Sequence, residues 1–201
     1  MNTFAPSQYS TVQKDLLSKI THLVPSTLTG VASGEPFVKV VPHNLIPLLT
    51  ILKDHTGREF AQLRDITAVD NPERKHRFEV VYSLLSVRTA QRLRVLVSVA
   101  EGEPLSSVTS LYSSAGWYER ELWDRFGVVI TGHPDLRRRL TDYGFRGHPL
   151  RKDFPVTGYT EVRYHDGTKR IVYESVSLSQ QYRLFTLDSP WSTVLSSSSS
   201  G

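Results

Sequence analysis

The chain has 201 residues, with 24 Lys and Arg against 20 Asp and Glu for a net charge of +4, and no cysteine. That length holds one domain with a long appendage or two small domains, and the missing thiols exclude disulfides, thiolate catalysis, zinc ribbons and a self-held iron–sulfur cluster. No apolar run approaches the roughly 18 residues of a membrane span. Of the 24 cations 17 are Arg, whose guanidinium suits bidentate pairing with carboxylate or phosphate in a partly buried interface. No Arg precedes Arg58 and no basic segment leads into an apolar core, so neither a presequence nor a secretory signal is expected.

Val12, Leu16, Ile20 and Leu23 recur at helical spacing before Pro25 and predict a first amphipathic helix. Phe37 to Val41 reads as a short strand, and Leu45 to His55 as a second helix with Asn44 as N-cap and Gly57 beyond its end. Three strands follow. Gln62 to Val69 alternates poorly, whereas Phe78, Val80, Tyr82 and Leu84, and then Leu93, Val95, Val97 and Val99, alternate with polar neighbours over Arg77 to Ser86 and Gln91 to Val99. Arg88-Thr89-Ala90 is short enough for a hairpin turn. Leu105, Val108, Leu111 and Tyr112, then Tyr118, Leu122 and Phe126, restore helical spacing.

Helices returning onto one face of a mainly antiparallel sheet predict a two-layer α+β domain of the split-βαβ kind over residues 1–127. Residues 128–191 are rich in Gly, Pro and Arg and are expected to form an extended Arg- and aromatic-rich tail on partner surfaces, followed by a Ser-rich end at 192–201. The one hairpin signal in the tail is His165-Asp166-Gly167-Thr168.

The densest charge lies in Glu119-Arg120-Glu121-Leu122-Trp123-Asp124-Arg125, where helical spacing sets Arg120 against Asp124 and Glu121 against Arg125. Such pairing holds carboxylates ionised and predicts a salt-laced structural helix in place of a general acid/base pair. His133 and His148 each stand between a glycine and a proline, with Asp135 and Asp153 near them. Their spacing matches no metal-ligand pattern and Arg137, Arg138, Arg139 and Arg151 oppose a cation, so the two Gly-His-Pro runs predict fixed corners of the chain. Arg137-Arg138-Arg139 invites comparison with a nucleic-acid patch, but three consecutive helical residues spread over about 200°. Phe78 and Tyr82 also belong to the predicted core and cannot serve as base-stacking aromatics. Phosphate-loop, dinucleotide and nucleophile-elbow motifs are all missing.

Residues 115–127 (Ala-Gly-Trp-Tyr-Glu-Arg-Glu-Leu-Trp-Asp-Arg-Phe-Gly), His133-Pro134-Asp135-Leu136-Arg137-Arg138, and residues 142–155 (Asp-Tyr-Gly-Phe-Arg-Gly-His-Pro-Leu-Arg-Lys-Asp-Phe-Pro) closely resemble the signature of the thirty-kilodalton subunit of respiratory complex I, the proton-pumping NADH:ubiquinone oxidoreductase. The resemblance covers roughly residues 60 to 191, with departures at Arg125, where the family usually has an apolar residue, and Ile130, where it has an aromatic.

The resemblance implies a scaffold with no catalytic residues, cofactor or metal of its own, in the hydrophilic arm near the quinone-reducing end. Flavin, iron–sulfur clusters and quinone would then sit in partner subunits, with the tail clasping the large quinone-site subunit and the neighbouring iron–sulfur subunits. Its structural and interface residues would be Glu119, Arg120, Glu121, Asp124, His133, Pro134, Arg137, Arg138, Gly147, His148, Pro149, Arg151, Lys152 and Asp153. The implied place is the matrix face of the mitochondrial inner membrane or the cytoplasmic face of a bacterial plasma membrane. A free-standing basic RNA-binding α+β module is the competing reading, motivated by the Arg excess, and a metal hydrolase on His133, His148 and Asp135 is a third.

Overall fold

The computed structural model describes residues 11–24, 28–57 and 59–185. The expectations for Pro25 and for the Ser-rich end lie outside the described residues. Helix α1 spans Thr11–Leu23 and buries Leu16, Leu17 and Ile20, with Asp15 and Lys19 paired on its wet side at 3.0 Å. The single strand expected near Phe37 is a hairpin, β1 (Leu28–Ala32) with β2 (Glu35–Val40). Its two turn residues, Ser33 and Gly34, take φ of 54° and 78°, the positive values that a tight hairpin turn requires. A 3₁₀ turn at Pro42–Asn44 leads into α2 (Leu45–Asp54), which buries Leu45, Leu48, Leu49 and Leu52. Asn44 holds the N-cap position without a capping bond from its side chain.

Strands β3 (Gln62–Asp70), β4 (Phe78–Ser86) and β5 (Gln91–Val99) form the antiparallel meander. The poor alternation in β3 has a physical cause: its register jumps between Leu63 and Asp65, and past that bulge Ile66, Ala68 and Asp70 all turn inward. Sheet order is β1-β2-β5-β4-β3, with β2 and β5 parallel and the other neighbours antiparallel. It follows that β2 and β3 run the same way with β5 and β4 between them, so α2 is the crossover of a split βαβ unit. Inward residues of β2 to β5 share one buried cluster with those of α1, α2 and α3 (Ala115–Phe126), which gives the expected two-layer α+β fold.

Residues 105–112 are not helical as their spacing suggested. Leu105–Ser106 is a short strand, β6, parallel to β7 (Ile130–Thr131), with the Leu105 and Ser107 amides donating to Val129 and Thr131. Leu105, Val108 and Tyr112 still reach the core, because buried loop residues can mimic a helical stripe. The boundary expected at residue 127 also moves: the chain divides after Phe154. Residues 128–154 carry little regular structure but are bonded at several points to the β6 segment, to α3 and to the residues flanking the β3–β4 turn, as described below. The second unit holds an antiparallel hairpin, β8 (Thr160–His165) with β9 (Arg170–Ser175), at the place where the His-Asp-Gly-Thr signal lay.

Gly127 ends α3 at φ +72°, its amide donating to Trp123. A Cβ there would stand 2.5 Å from the Arg151 guanidinium and 2.6 Å from the His148 ring. Gly127→Ala is therefore expected to cost more than the ~1 kcal/mol of left-handed strain alone, read as a lowered urea midpoint, because both capping side chains must also move.

Candidate functional site

The pairing inside α3 is partly as expected and partly redirected. Arg125 meets Glu121 at 3.1 Å, so the departure from the family pattern at Arg125 has a partner, and Ile130 is buried at 6% exposure. Arg120 does not meet Asp124. It reaches out of the helix to the carboxylate of Asp135 at 2.7 Å and stacks 4.9 Å from the Trp117 ring. Spacing on a helix shows which side chains can meet, and a loop folded over the helix supplied better partners. Because Asp135 is 54% exposed, Arg120→Ala should cost only about 1 kcal/mol in a urea titration.

Asp124 is the centre of the site. Its carboxylate has no exposed surface and accepts five hydrogen bonds from one turn. Oδ2 takes the consecutive backbone amides of Arg139, Leu140 and Thr141 at 3.2, 2.8 and 3.0 Å. Oδ1 takes the Thr141 hydroxyl at 2.6 Å and the Arg138 guanidinium at 2.9 Å. Burial alone would raise its pKa, but the converging donors outweigh it and hold the carboxyl well below the usual carboxylate range. Arg138 also donates to Gly147 O at 3.0 Å and lies over the rings of Trp123 and Phe145.

The second Gly-His-Pro run closes the C-terminus of α3. The last turn of a helix leaves carbonyls without partners, and here residues 148–151 supply them. His148 Nδ1 donates to Asp124 O at 3.0 Å, the Leu150 amide to Arg125 O at 3.1 Å, and Arg151 Nε to Phe126 O at 2.6 Å. Cationic Arg151 at this end also complements the helix dipole. Pro149 sets the path between His148 and Leu150, and Gly147 turns at φ 98° beneath the ring of Phe154.

A second buried carboxylate ties the same segment to the sheet. Asp70, inward-facing and with its side chain at 0% exposure, is held by Arg77 through two bonds of 2.7 and 3.0 Å and by the Lys152 amide at 2.7 Å. Arg77 also pairs with Asp153 at 3.0 Å and Glu101 at 3.2 Å, and Arg151 reaches Glu101 at 2.6 Å. The Arg77 side chain lowers the pKa of both Asp70 and Asp153. Lys152 acts here through its backbone N–H.

At the other end of α3, Glu119 is buried at 2% and accepts from the Ser107 hydroxyl at 2.6 Å and the Val108 amide at 2.7 Å. Burial pushes its carboxyl up. His133, with a side chain at 1% exposure, stands 3.9 Å from Glu119, beyond hydrogen-bond reach. Its Nδ1 accepts the Asp135 amide at 3.0 Å, which leaves Nε2 to donate to Gly116 O at 3.1 Å. His133 and His148 are thus tied to positions 116 and 124 of one helix, separated along its axis by about 12 Å. Pro134 follows His133. Arg137, Arg138 and Arg139 each pair with an acid, Asp135, Asp124 and Glu121, so the triplet is not a free basic patch. Phe78 and Tyr82 are 1% exposed, which keeps them from stacking on bases.

The hairpin of the second unit is built differently. Its register sets Val162 opposite Tyr173 and Tyr164 opposite Ile171 on one face, and all four are 51 to 66% exposed. On the other face Glu161 stands opposite Glu174, and Arg163 bridges to Glu174 at 2.6 Å. A two-stranded ribbon is marginal in water unless its apolar face packs on something.

The motif residues of the first unit thus bind one another, and the second unit presents exposed apolar side chains. Residues 38–160 match the family model described as the 30 kDa subunit of respiratory-chain NADH dehydrogenase. The chain is 57% identical over 163 residues to NADH-ubiquinone oxidoreductase subunit 9 of Reclinomonas americana, covering 81% of this chain and 80% of that one. It is 51% identical to an NADH-quinone oxidoreductase subunit of Paramagnetospirillum magneticum, over 89% of this chain and 91% of that one. Among solved structures, a chain of the membrane-bound sulfane sulfur reductase, an archaeal respiratory membrane complex, superposes with a TM-score of 0.62 at 26% identity over 71% of this chain and 85% of that one. The chain belongs to the family of the 30 kDa subunit of respiratory-chain NADH dehydrogenase. Among the described residues no helix is long and apolar enough to cross a membrane.

Proposed function

We propose that this chain is a non-catalytic assembly subunit in the hydrophilic arm of the NADH:quinone oxidoreductase, where its second unit clasps the large quinone-site subunit and the neighbouring iron–sulfur subunits. The observation that carries this reading is the apolar face of the hairpin, where Val162, Tyr164 and Ile171 are 51, 58 and 66% exposed. Interleaved aromatics and arginines such as Tyr159, Tyr182 and Arg183 suit the anchoring of a chain on a partner surface. Flavin, clusters and quinone belong to the partners. The acids of the signature support the same reading, since Asp124 and Glu119 are closed off and bonded to the chain itself, out of reach of a substrate. The place of this subunit is the matrix face of the mitochondrial inner membrane or the cytoplasmic face of a bacterial plasma membrane.

A cut near Arg151 would break the cap of α3, so the informative truncation falls after Phe154. The shortened chain should keep a cooperative urea transition yet fail to co-purify with the complex, and the full chain alone should neither oxidise NADH nor reduce quinone. Normal retention of the shortened chain, or turnover by the pure full chain, contradicts the proposal.

A further inference from the structure

One cleft is lined by residues that belong neither to the caged carboxylates nor to the hairpin. At an end of the sheet this cleft of about 440 Å³ opens between the start of β1, the segment after β2 and the β3–β4 turn. Its two walls differ in chemistry. Leu28, Val41 and Pro42 make one wall apolar, and Leu28 and Val41 are 65% and 49% exposed. Arg74, Lys75 and His76 make the other wall basic.

Charge bookkeeping within the cleft says what it takes. Lys39 is neutralised by Glu79 at 2.6 Å, and His76 has Glu103 at 3.9 Å. Arg74 and Lys75 have no carboxylate of their own among the described residues, in a molecule where most other arginines of this unit are paired. The volume falls in the range of built binding clefts, and the pattern is one apolar wall facing two unneutralised cations.

We infer that this cleft docks an acidic, amphipathic segment of a partner protein, its carboxylates on Arg74 and Lys75 and its apolar side chains on Leu28 and Val41. Recruitment to an anionic bilayer takes a cluster of roughly four to eight cations, and this wall offers fewer, on a concave surface that a flat membrane cannot fill. The inference rests on the assembly reading for the existence of a partner, but it concerns a face that the clasp does not use.

Two measurements decide it. In the purified native complex, carbodiimide treatment should join the Lys75 amine through an amide bond, with loss of water, to an Asp or Glu of another subunit lying beside apolar residues. Lys75→Arg, which keeps the charge and removes the amine, should abolish that cross-link without loss of the subunit. Coupling of Lys75 only to acids of its own chain, or an amine as reactive in the complex as in the free chain, overturns the inference while leaving the clasp intact. On the free full-length chain, a fluorescent peptide of alternating Glu and Leu should bind, and the double variant Arg74→Glu with Lys75→Glu should weaken it at least tenfold. A lysine-for-glutamate peptide binding equally well, or phosphatidylserine vesicles binding where the acidic peptide does not, overturns it too. The peptide arm needs no assembly, so failure of the clasp would not be mistaken for failure of the cleft.

Discussion

Replacing Asp124 with Ala should cost about 3–5 kcal/mol, the largest loss expected of any single change in the signature helix. Removing the carboxylate strands the Arg138 guanidinium and leaves three consecutive amides at 139–141 without acceptors. A typical domain has only about 5–15 kcal/mol in hand, so the variant should unfold at markedly lower urea. Acid should act on the same group. Its folded pKa lies below the unfolded one, so its contribution is complete above the unfolded value near pH 4 and is lost as pH falls from there through the folded value. Asp124→Asn should flatten that acid limb in denaturant titrations at stepped pH. Glu119 works with the opposite sign, because burial raises its folded pKa and its contribution falls as pH climbs above the usual carboxylate value.

Arg77→Leu should be comparable, at about 3–5 kcal/mol, since it leaves the Asp70 carboxylate buried with only the Lys152 amide directly bonded to it. Its consequence spreads along the chain, because Asp153 loses its partner and the segment that caps α3 loses a tie to the sheet. Combining Arg77→Leu with Asp70→Asn should recover part of the loss, as removing both charges of a buried pair costs less than orphaning one. Chymotryptic cleavage near Phe154 provides a local readout: it should quicken in Arg77→Leu before global unfolding sets in.

How much of this was legible follows from what kind of signal each element left. The paired strands were readable because Phe78 to Leu84 and Leu93 to Val99 alternate without interruption, and one face of each is core. The β1–β2 hairpin was missed although Ser33-Gly34 is a turn signal, because its strands are short and Pro36 broke the pattern. The signature helix was placed, but its partners were read from helical spacing alone, and tertiary contacts redirected Arg120 to Asp135 and gave Asp124 to Arg138. No periodicity reports a carboxylate caged by a distant turn. Asp70 did leave a trace: past the bulge it continues the inward series of Ile66 and Ala68, and an acid on a core face calls for a buried cation. Residues 128–154 read as tail because they lack apolar periodicity, yet hydrogen bonds to the end of α3 and to Asp70, which composition does not show, hold them in the first unit.

The most direct test of the central claim is amide hydrogen exchange on the full chain, free and in the native complex. Residues 128–154 should be protected in both states, because their bonds lie within their own unit. The β8 and β9 amides between Thr160 and Ser175 should exchange rapidly in the free chain and slow by at least a hundredfold on assembly, when the exposed apolar side chains are covered. Equal protection of the hairpin in both states would contradict the account, since the second unit would then be stable by itself and its exposed face would not be the clasp.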